Sequence, residues 1–303
     1  MARGLTESPP WLHCRYLYDE TGSSLFEDIT RQPEYYPTRT ENAILARHAH
    51  EICDITGRVT LIELGSGNSE KTDNLLRAYT GAHDEVLYVP VDVSVSALEG
   101  ARDQIIARHP GVTVTGIAGT YETAFPLFKR FAPSMVMFLG STIGNLNPPE
   151  ADAFWQRVHR SLASGDCFLL GVDLVKDPAI LNAAYNDAAG VTDQFTKNIF
   201  RRINADLGAA VDLEQIEHVA EYNKDLQRIE TFVRFNRDQD VYLAPLDQTI
   251  SVSAGTMVMT EISRKFTLDQ IQENLPLYGM AVRGVFTDPD EWFAVLLLQH
   301  TNQ

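Results

Sequence analysis

The feature that most limits the fold is an alternation of two periods. Between positions 59 and 174, five short apolar runs (59–64, 85–92, 112–118, 134–139 and 166–174) alternate with segments of helical spacing at 71–79, 96–109, 121–131 and 149–163. A short apolar run bounded by turns reads as a strand buried on both faces, and an intervening helix is what two parallel neighbours require. Ala97, Leu98, Ala101, Ile105 and Ile106 fall on one helix face, and Pro149 stands at a helix start. With right-handed crossovers the pattern predicts an α/β fold, a doubly wound and mostly parallel sheet covered by helices.

The first run ends in Gly65-Ser66-Gly67 and then turns polar. Glycine allows φ > 0 and close approach of a bound molecule, and such turns lie at the carboxyl edge of open α/β sheets, where cofactors bind. The dinucleotide spacing fails because position 70 is Glu, and Glu63 beside the turn is a poor neighbour for a pyrophosphate. A phosphate-free cofactor with a cationic centre, such as S-adenosylmethionine (SAM), is the better fit. Taken alone the turn also reads as plain structure. Asp92 closes the second run and suits ribose hydroxyls, of SAM or of NAD, or else the cap of the next helix. A second glycine turn, FLGSTIGN at 138–145, brings Gly140 and Asn145 to the same edge. Asn145 carries a donor and an acceptor for an amino acid's carboxylate and ammonium, although NLNP at 145–148 also reads as a simple turn.

Residues 1–38 look irregular. Tyr16, Tyr18, Phe26, Tyr35 and Tyr36 crowd this arm, either as packing over a core edge or as the wall of a pocket. Thr38 and Glu41 have capping-box spacing, predicting a helix over 41–55. Beyond Val175 two helices (178–187 and 192–206) precede strands at 216–222, 228–234, 241–243, 248–252 and 257–263 with antiparallel alternation. A helix at 268–277 and a strand at 292–299 return to the parallel core. In the 257–263 run, Glu261 and Ser263 share a face. Their side chains suit the two nitrogens of an imidazole, or simply a solvated strand.

The 303 residues are 44% apolar and 22% charged, within the globular range. A net charge of −16 argues against nucleic acid and anionic membrane as partners. Cys14, Cys53 and Cys167 are odd in number and far apart, which suits a reducing compartment. No run is long enough to span a membrane and the N-terminus lacks a signal-peptide core, so a cytoplasmic location is expected. Nucleophile-elbow, Walker and metal-ligand spacings are absent, and no metal is expected.

Taken together, ITRQPEYYPTR (29–39), ELGSG (63–67), FLGSTIGN (138–145), DLVKD (173–177), AYNDAAGVT (184–192) and TEIS (260–263) resemble the SAM-dependent histidine Nα-methyltransferases of ergothioneine biosynthesis. The resemblance runs from about Tyr16 to the C-terminus. It implies a class I SAM methyltransferase core at 40–175 and 264–303, and a mixed α+β substrate-binding domain at 1–39 and 176–263. It implies that Gly65, Ser66, Gly67, Lys71 and Asp92 hold SAM, with Thr120 and Tyr121 near the adenine. Tyr35, Gly140, Asn145 and Tyr185 would fix the substrate's amino and carboxylate groups, Tyr18 would lie near the methyl-accepting nitrogen, and Glu261 and Ser263 would hold the imidazole.

Two positions depart from the family pattern. Thr120 replaces an acid at the adenine, and Thr231 replaces a Met that lines the side-chain pocket. The second change enlarges the pocket toward an indole, so tryptophan or another aromatic amino acid is the rival substrate. Glu261 opposes that, because an indole offers a single N–H. The expected product is histidine methylated up to three times, to the betaine hercynine, by a monomer acting on a free amino acid. A non-catalytic scaffold of the same fold is the distant alternative, which the intact Gly65, Asp92 and Asn145 disfavour.

Overall fold

Strand β1 is central because its apolar residues Leu61, Ile62 and Leu64 are buried and parallel strands flank it on both sides. The computed structural model describes residues 1–66 and 71–301. In chain order its strands are β1 (Thr60–Leu64), β2 (Val86–Asp92), β3 (Val112–Val114), β4 (Ile117–Ala118), β5 (Ser134–Phe138), β6 (Cys167–Asp173), β7 (Ile216–Asn223), β8 (Arg228–Phe235), β9 (Gln239–Leu243), β10 (Gln248–Val252), β11 (Met257–Arg264), β12 (Met280–Thr287) and β13 (Phe293–His300). Its helices are α1 (Ala2–Thr6), α2 (Glu20–Thr30), α3 (Pro37–Thr56), α4 (Asp73–Ala82), α5 (Val95–Arg108), α6 (Tyr121–Ala124), α7 (Pro148–Ser161), α8 (Pro178–Ala184), α9 (Val191–Leu207) and α10 (Leu268–Asn274). Two units divide these elements: Pro37–Val175 with Phe266–Gln303, and Met1–Tyr36 with Lys176–Lys265.

The first unit holds the large sheet, ordered β12-β13-β6-β5-β1-β2-β3, with β4 also on β2. From β1 the chain steps to β2 and β3, then crosses to β5 on the other side of β1. The order therefore reverses between β1 and β5, and their carboxyl ends form a topological switch point, where open α/β sheets bind ligands. Alternating side chains build both covers. Ile62, Leu64, Val136 and Phe138 pack with Phe154 and Trp155 of α7. Leu61, Met135 and Met137 pack with Ile44 and Leu45 of α3 and Leu75 and Leu76 of α4. Truncating a buried aromatic such as Phe138 to Ala costs about 3–5 kcal/mol.

Several elements differ from expectation. The third run breaks into β3 and β4 around Thr115 and Gly116, and a Cβ at Gly116 would make only ordinary contact with Leu98. The terminal strand β13 is antiparallel to β6, not parallel. Strand β12 was not visible as a strand, because a register shift between Val282 and Gly284 breaks its alternation. The helix over 121–131 is α-helical only to Ala124 and continues as 3-10 turns through Pro126 to Phe131. Helix α3 starts at Pro37, so Thr38 and Glu41 lie inside it and form no capping box.

The second unit carries a three-stranded antiparallel sheet, β11-β8-β7, and the hairpin β9-β10. The N-terminal arm lines the edge of β11, where the Leu12 N–H donates to the Met259 carbonyl at 2.7 Å and the Met259 N–H to the Pro10 carbonyl at 3.1 Å. The arm is less irregular than its sequence suggests. Helix α2, capped by Asp19, packs on α9 despite poor helix formers in Thr21, Gly22, Ser23 and Ser24. Tertiary contact overrides propensity there; Asp19 Oδ1, for example, accepts from Asn198 Nδ2 at 2.8 Å.

Candidate active site

Strand β11 shapes the second unit's chemistry through a bulge between Met259 and Glu261. Ahead of the bulge Val258 pairs with Val233; after it, Glu261 pairs with Thr231 and Ser263 with Ile229. An unbroken strand would turn Thr260 and Ile262 to the Thr231 face. The extra residue flips the parity and brings Glu261 and Ser263 there instead.

The Ser263 hydroxyl accepts from Tyr185 Oη at 2.8 Å and from Lys265 Nζ at 2.9 Å, and Lys265 also donates to Tyr185 Oη at 3.0 Å. Lys265, only 2% exposed, was absent from the residues singled out by sequence. The signal was there, since 261, 263 and 265 continue one period-2 series. Burial pushes the Glu261 carboxyl up to about 7, partly offset by Lys265. Thr231 is buried, and its hydroxyl lacks a partner among the described residues.

The arm's aromatics join this group. Tyr35 meets Tyr185 edge-on at 6.2 Å, and Tyr18 packs against Phe26 at 5.7 Å and Phe195 at 5.4 Å. Tyr18 is 37% exposed, yet desolvation first and Glu261 second push its phenol well above its ordinary value. Tyr36, by contrast, is core: its phenol accepts from Lys176 Nζ at 2.7 Å. The arm's rings are therefore packing, Tyr18 against Phe26 and Phe195 and Tyr35 against Tyr185. The 184–192 motif holds Tyr185 in place. Asp187 accepts from the backbone of Val191 and Thr192, and His218 bonds the Tyr185 carbonyl at 2.9 Å.

In the sheet unit, the switch point gathers the other group. Gly65 has φ +67°, and a Cβ there would meet Tyr121 Oη at 2.8 Å. Ser66 is buried, with a hydroxyl lacking a partner among the described residues. Gly67 lies outside the described residues. Asp92 ends β2 and accepts from the Ser94 N–H at 2.9 Å, while Ser94 itself caps α5. Thr120 is the exposed residue ahead of α6, and Tyr121 packs edge-on against Phe138 at 5.5 Å. Gly140 has φ +73°, and Asn145 ends the 3-10 turn that follows β5.

Glu41, whose spacing from Thr38 is that of a helix cap, serves this point instead. Glu41 is 0% exposed, accepts the Gly140 N–H at 2.7 Å and pairs with Lys71 Nζ at 2.6 Å. A buried, charge-assisted pair outweighs a solvent-facing cap. Glu63 also turns inward: its Oε2 accepts from Thr72 at 2.6 Å and from the Tyr88 hydroxyl, and burial raises its pKa to about 7. It braces the start of α4, so its bearing on a cofactor is indirect.

A family model described as histidine-specific, SAM-dependent methyltransferase matches residues 1–300. The chain belongs to this family. It is 42% identical over 294 residues to a histidine N-alpha-methyltransferase of Mycolicibacterium smegmatis, covering 97% of this chain and 92% of that one. A Mycobacterium tuberculosis protein of the same name is 39% identical over 277 residues, 91% of this chain and 86% of that one. Ergothioneine biosynthesis protein 1 of Neurospora crassa is 34% identical over 277 residues, 89% of this chain but 30% of that one.

Membership in the histidine-specific methyltransferase family makes SAM the cofactor, and the switch-point sheet is the family's class I fold. The residues present fit such a cofactor, because Gly65, with φ +67°, and the Ser66 hydroxyl, which lacks a partner among the described residues, stand together at the carboxyl end of β1. Among the described residues no helix is long and apolar enough to cross a membrane.

Proposed function

We propose that this protein transfers methyl groups from SAM to the α-amine of free histidine, up to three times, giving the trimethyl betaine hercynine of ergothioneine biosynthesis. One observation carries the reading: the bulge in β11 presents a carboxylate and a hydroxyl, Glu261 and Ser263, on one face. That pair matches the two nitrogens of an imidazole. An indole would leave Ser263 without an acceptor and gives Glu261 a single N–H, so tryptophan fits poorly despite the small Thr231.

In this reading residues 1–39 and 176–263 bind substrate, and 40–175 with 264–303 bind the cofactor. Lys71, Asp92, Thr120 and Tyr121, with the turn at Gly65, Ser66 and Gly67, hold the cofactor. Tyr35, Tyr185, Gly140 and Asn145 orient the substrate's amino and carboxylate groups. SAM supplies an electrophilic methyl group on a sulfonium.

The protein's own contribution is to hold the neutral amine in line with that methyl group, and most of the rate comes from such positioning. A free α-amine titrates near pH ~8, so it loses its proton to solvent without a strong base. Tyr18, held protonated by its surroundings, is a ring and a donor rather than a base. Its π face stabilises the positive charge that becomes permanent at the third transfer.

The test is mass spectrometry of a SAM reaction with all the standard amino acids mixed. Mass gains of one to three methyl groups on histidine are expected. Methylation of tryptophan with histidine untouched would overturn the substrate assignment.

A further inference from the structure

Lys265 is a cation held inside the protein against Ser263 of the proposed imidazole site and Tyr185 beside it, and nothing in the reaction itself calls for it. Its ammonium can only donate. It donates to Ser263 Oγ at 2.9 Å and to Tyr185 Oη at 3.0 Å, with its charge 4.8 Å from the Tyr185 ring centre. Tyr185 in turn donates to Ser263 at 2.8 Å, as the more acidic of the two hydroxyls should. Both lone pairs of Ser263 are thereby taken. The one hydrogen-bonding function left to that hydroxyl is its proton, which can only be given to an acceptor.

We propose that Lys265 is a positioning residue that commits the Ser263 hydroxyl to donating, so that the site takes the substrate's imidazole only as the neutral ring. This rests on the histidine reading above. The ring gives its N–H to Glu261 and receives the Ser263 proton on its other nitrogen. An imidazolium carries two N–H groups, and the second would face a donor with a cation behind it. Among the described residues, the ionisable side chains on this face or packed against it are Glu261, Lys265, Tyr185, His218 and Tyr222, with Tyr18, Tyr35 and Cys14 beside them and Asp187, Asp193 and Lys197 behind His218. Arg228, Glu230 and Arg264 alternate to the opposite face of the sheet. Both ring nitrogens of His218 are engaged, by Thr196 and by the Tyr185 carbonyl.

The experiment compares two ligands by calorimetry on the full chain saturated with S-adenosylhomocysteine. One is histidine. The other is 1,2,4-triazolylalanine, which keeps an N–H and an acceptor nitrogen but stays neutral in mild acid. Their affinity ratio cancels every effect of pH on the protein and on the shared α-amino and carboxylate groups. Between about pH 8 and about pH 5 the ratio should move about tenfold or more against histidine, since its ring titrates at or somewhat below the peptide value near 6.5. In Lys265→Met, Ser263 regains a lone pair and the shift should shrink to about twofold or less. Tyr185→Phe frees the other lone pair and should shrink it as well, which keeps the test available if Lys265→Met fails to fold. A pH-independent ratio in the unmutated protein, or an undiminished shift in the variants, would overturn the role of Lys265 while leaving histidine as substrate. Failure of histidine to bind at about pH 8 would overturn both.

Discussion

Thr231 stands directly across the antiparallel ladder from Glu261, and its buried hydroxyl has no partner among the described residues. An unpartnered buried hydroxyl costs about 1–3 kcal/mol. Thr231→Val keeps the shape and removes that cost. The variant should be about 1 kcal/mol more stable in denaturant unfolding of the ligand-free protein. A loss of stability would mean that the hydroxyl is satisfied in solution.

Glu261 should set the preference for histidine over tryptophan. Glu261→Ala removes the acceptor for the ring N–H, a bond to a charged group worth about 1.5–3 kcal/mol, or roughly 10- to 150-fold. Histidine kcat/KM should fall by that factor while any activity on tryptophan holds or rises. Equal losses for both substrates would show that the carboxylate serves the fold instead.

The product profile reports on Tyr18. Tyr18→Phe removes the hydroxyl and Tyr18→Ala removes the ring as well. Removal of the ring should slow the third methyl transfer most, so that the dimethyl product accumulates in a time course followed by mass spectrometry. Unchanged proportions of mono-, di- and trimethyl product in both variants would leave Tyr18 without this role.

Glu63 makes stability depend on pH. Its folded pKa, about 7, lies above the unfolded value near 4.3. The protonated form is thus favoured by folding. Its contribution is complete below the unfolded pKa and is lost as pH rises through about 7. Both donors, Thr72 and Tyr88, bond the same oxygen, so the amide oxygen of Glu63→Gln can keep them. The variant should exceed the parent in stability at about pH 8, on the order of 2 kcal/mol, and match it near pH 4 to 5. Parallel melting curves across that range would contradict the assignment.

Some of this architecture is written openly in the residues. The apolar runs that become β1, β2, β5 and β6 are buried on both faces, so their order in the chain already implies crossovers and an edge lined by Gly65 and Gly140. Strand β12 is hidden because the register shift at Gly284 interrupts its period. Helix α2 is hidden because its stability comes from α9, far along the chain. Glu41 has the local spacing of a cap, and only the fold reveals that Gly140, 99 positions away, takes its carboxylate. The alternation through Glu261 and Ser263 is legible, but which face of the sheet it serves depends on a bulge that no residue type announces. Lys265 was legible and overlooked, since a lysine at a strand end ordinarily points to water.

The arm that carries Tyr18 and Tyr35 has a further consequence for how the protein is made. Asp19 bonds Asn198, which is synthesised 179 positions later. The Leu12 amide needs the Met259 carbonyl, later still. At ribosomal speeds of about 5–20 residues per second, the first of these waits lasts on the order of 10–40 s. Strands β1 to β6 all emerge within it. An aromatic-rich segment therefore stays unclaimed while the sheet assembles, and slower or interrupted translation lengthens its exposure to chaperones and to neighbouring chains.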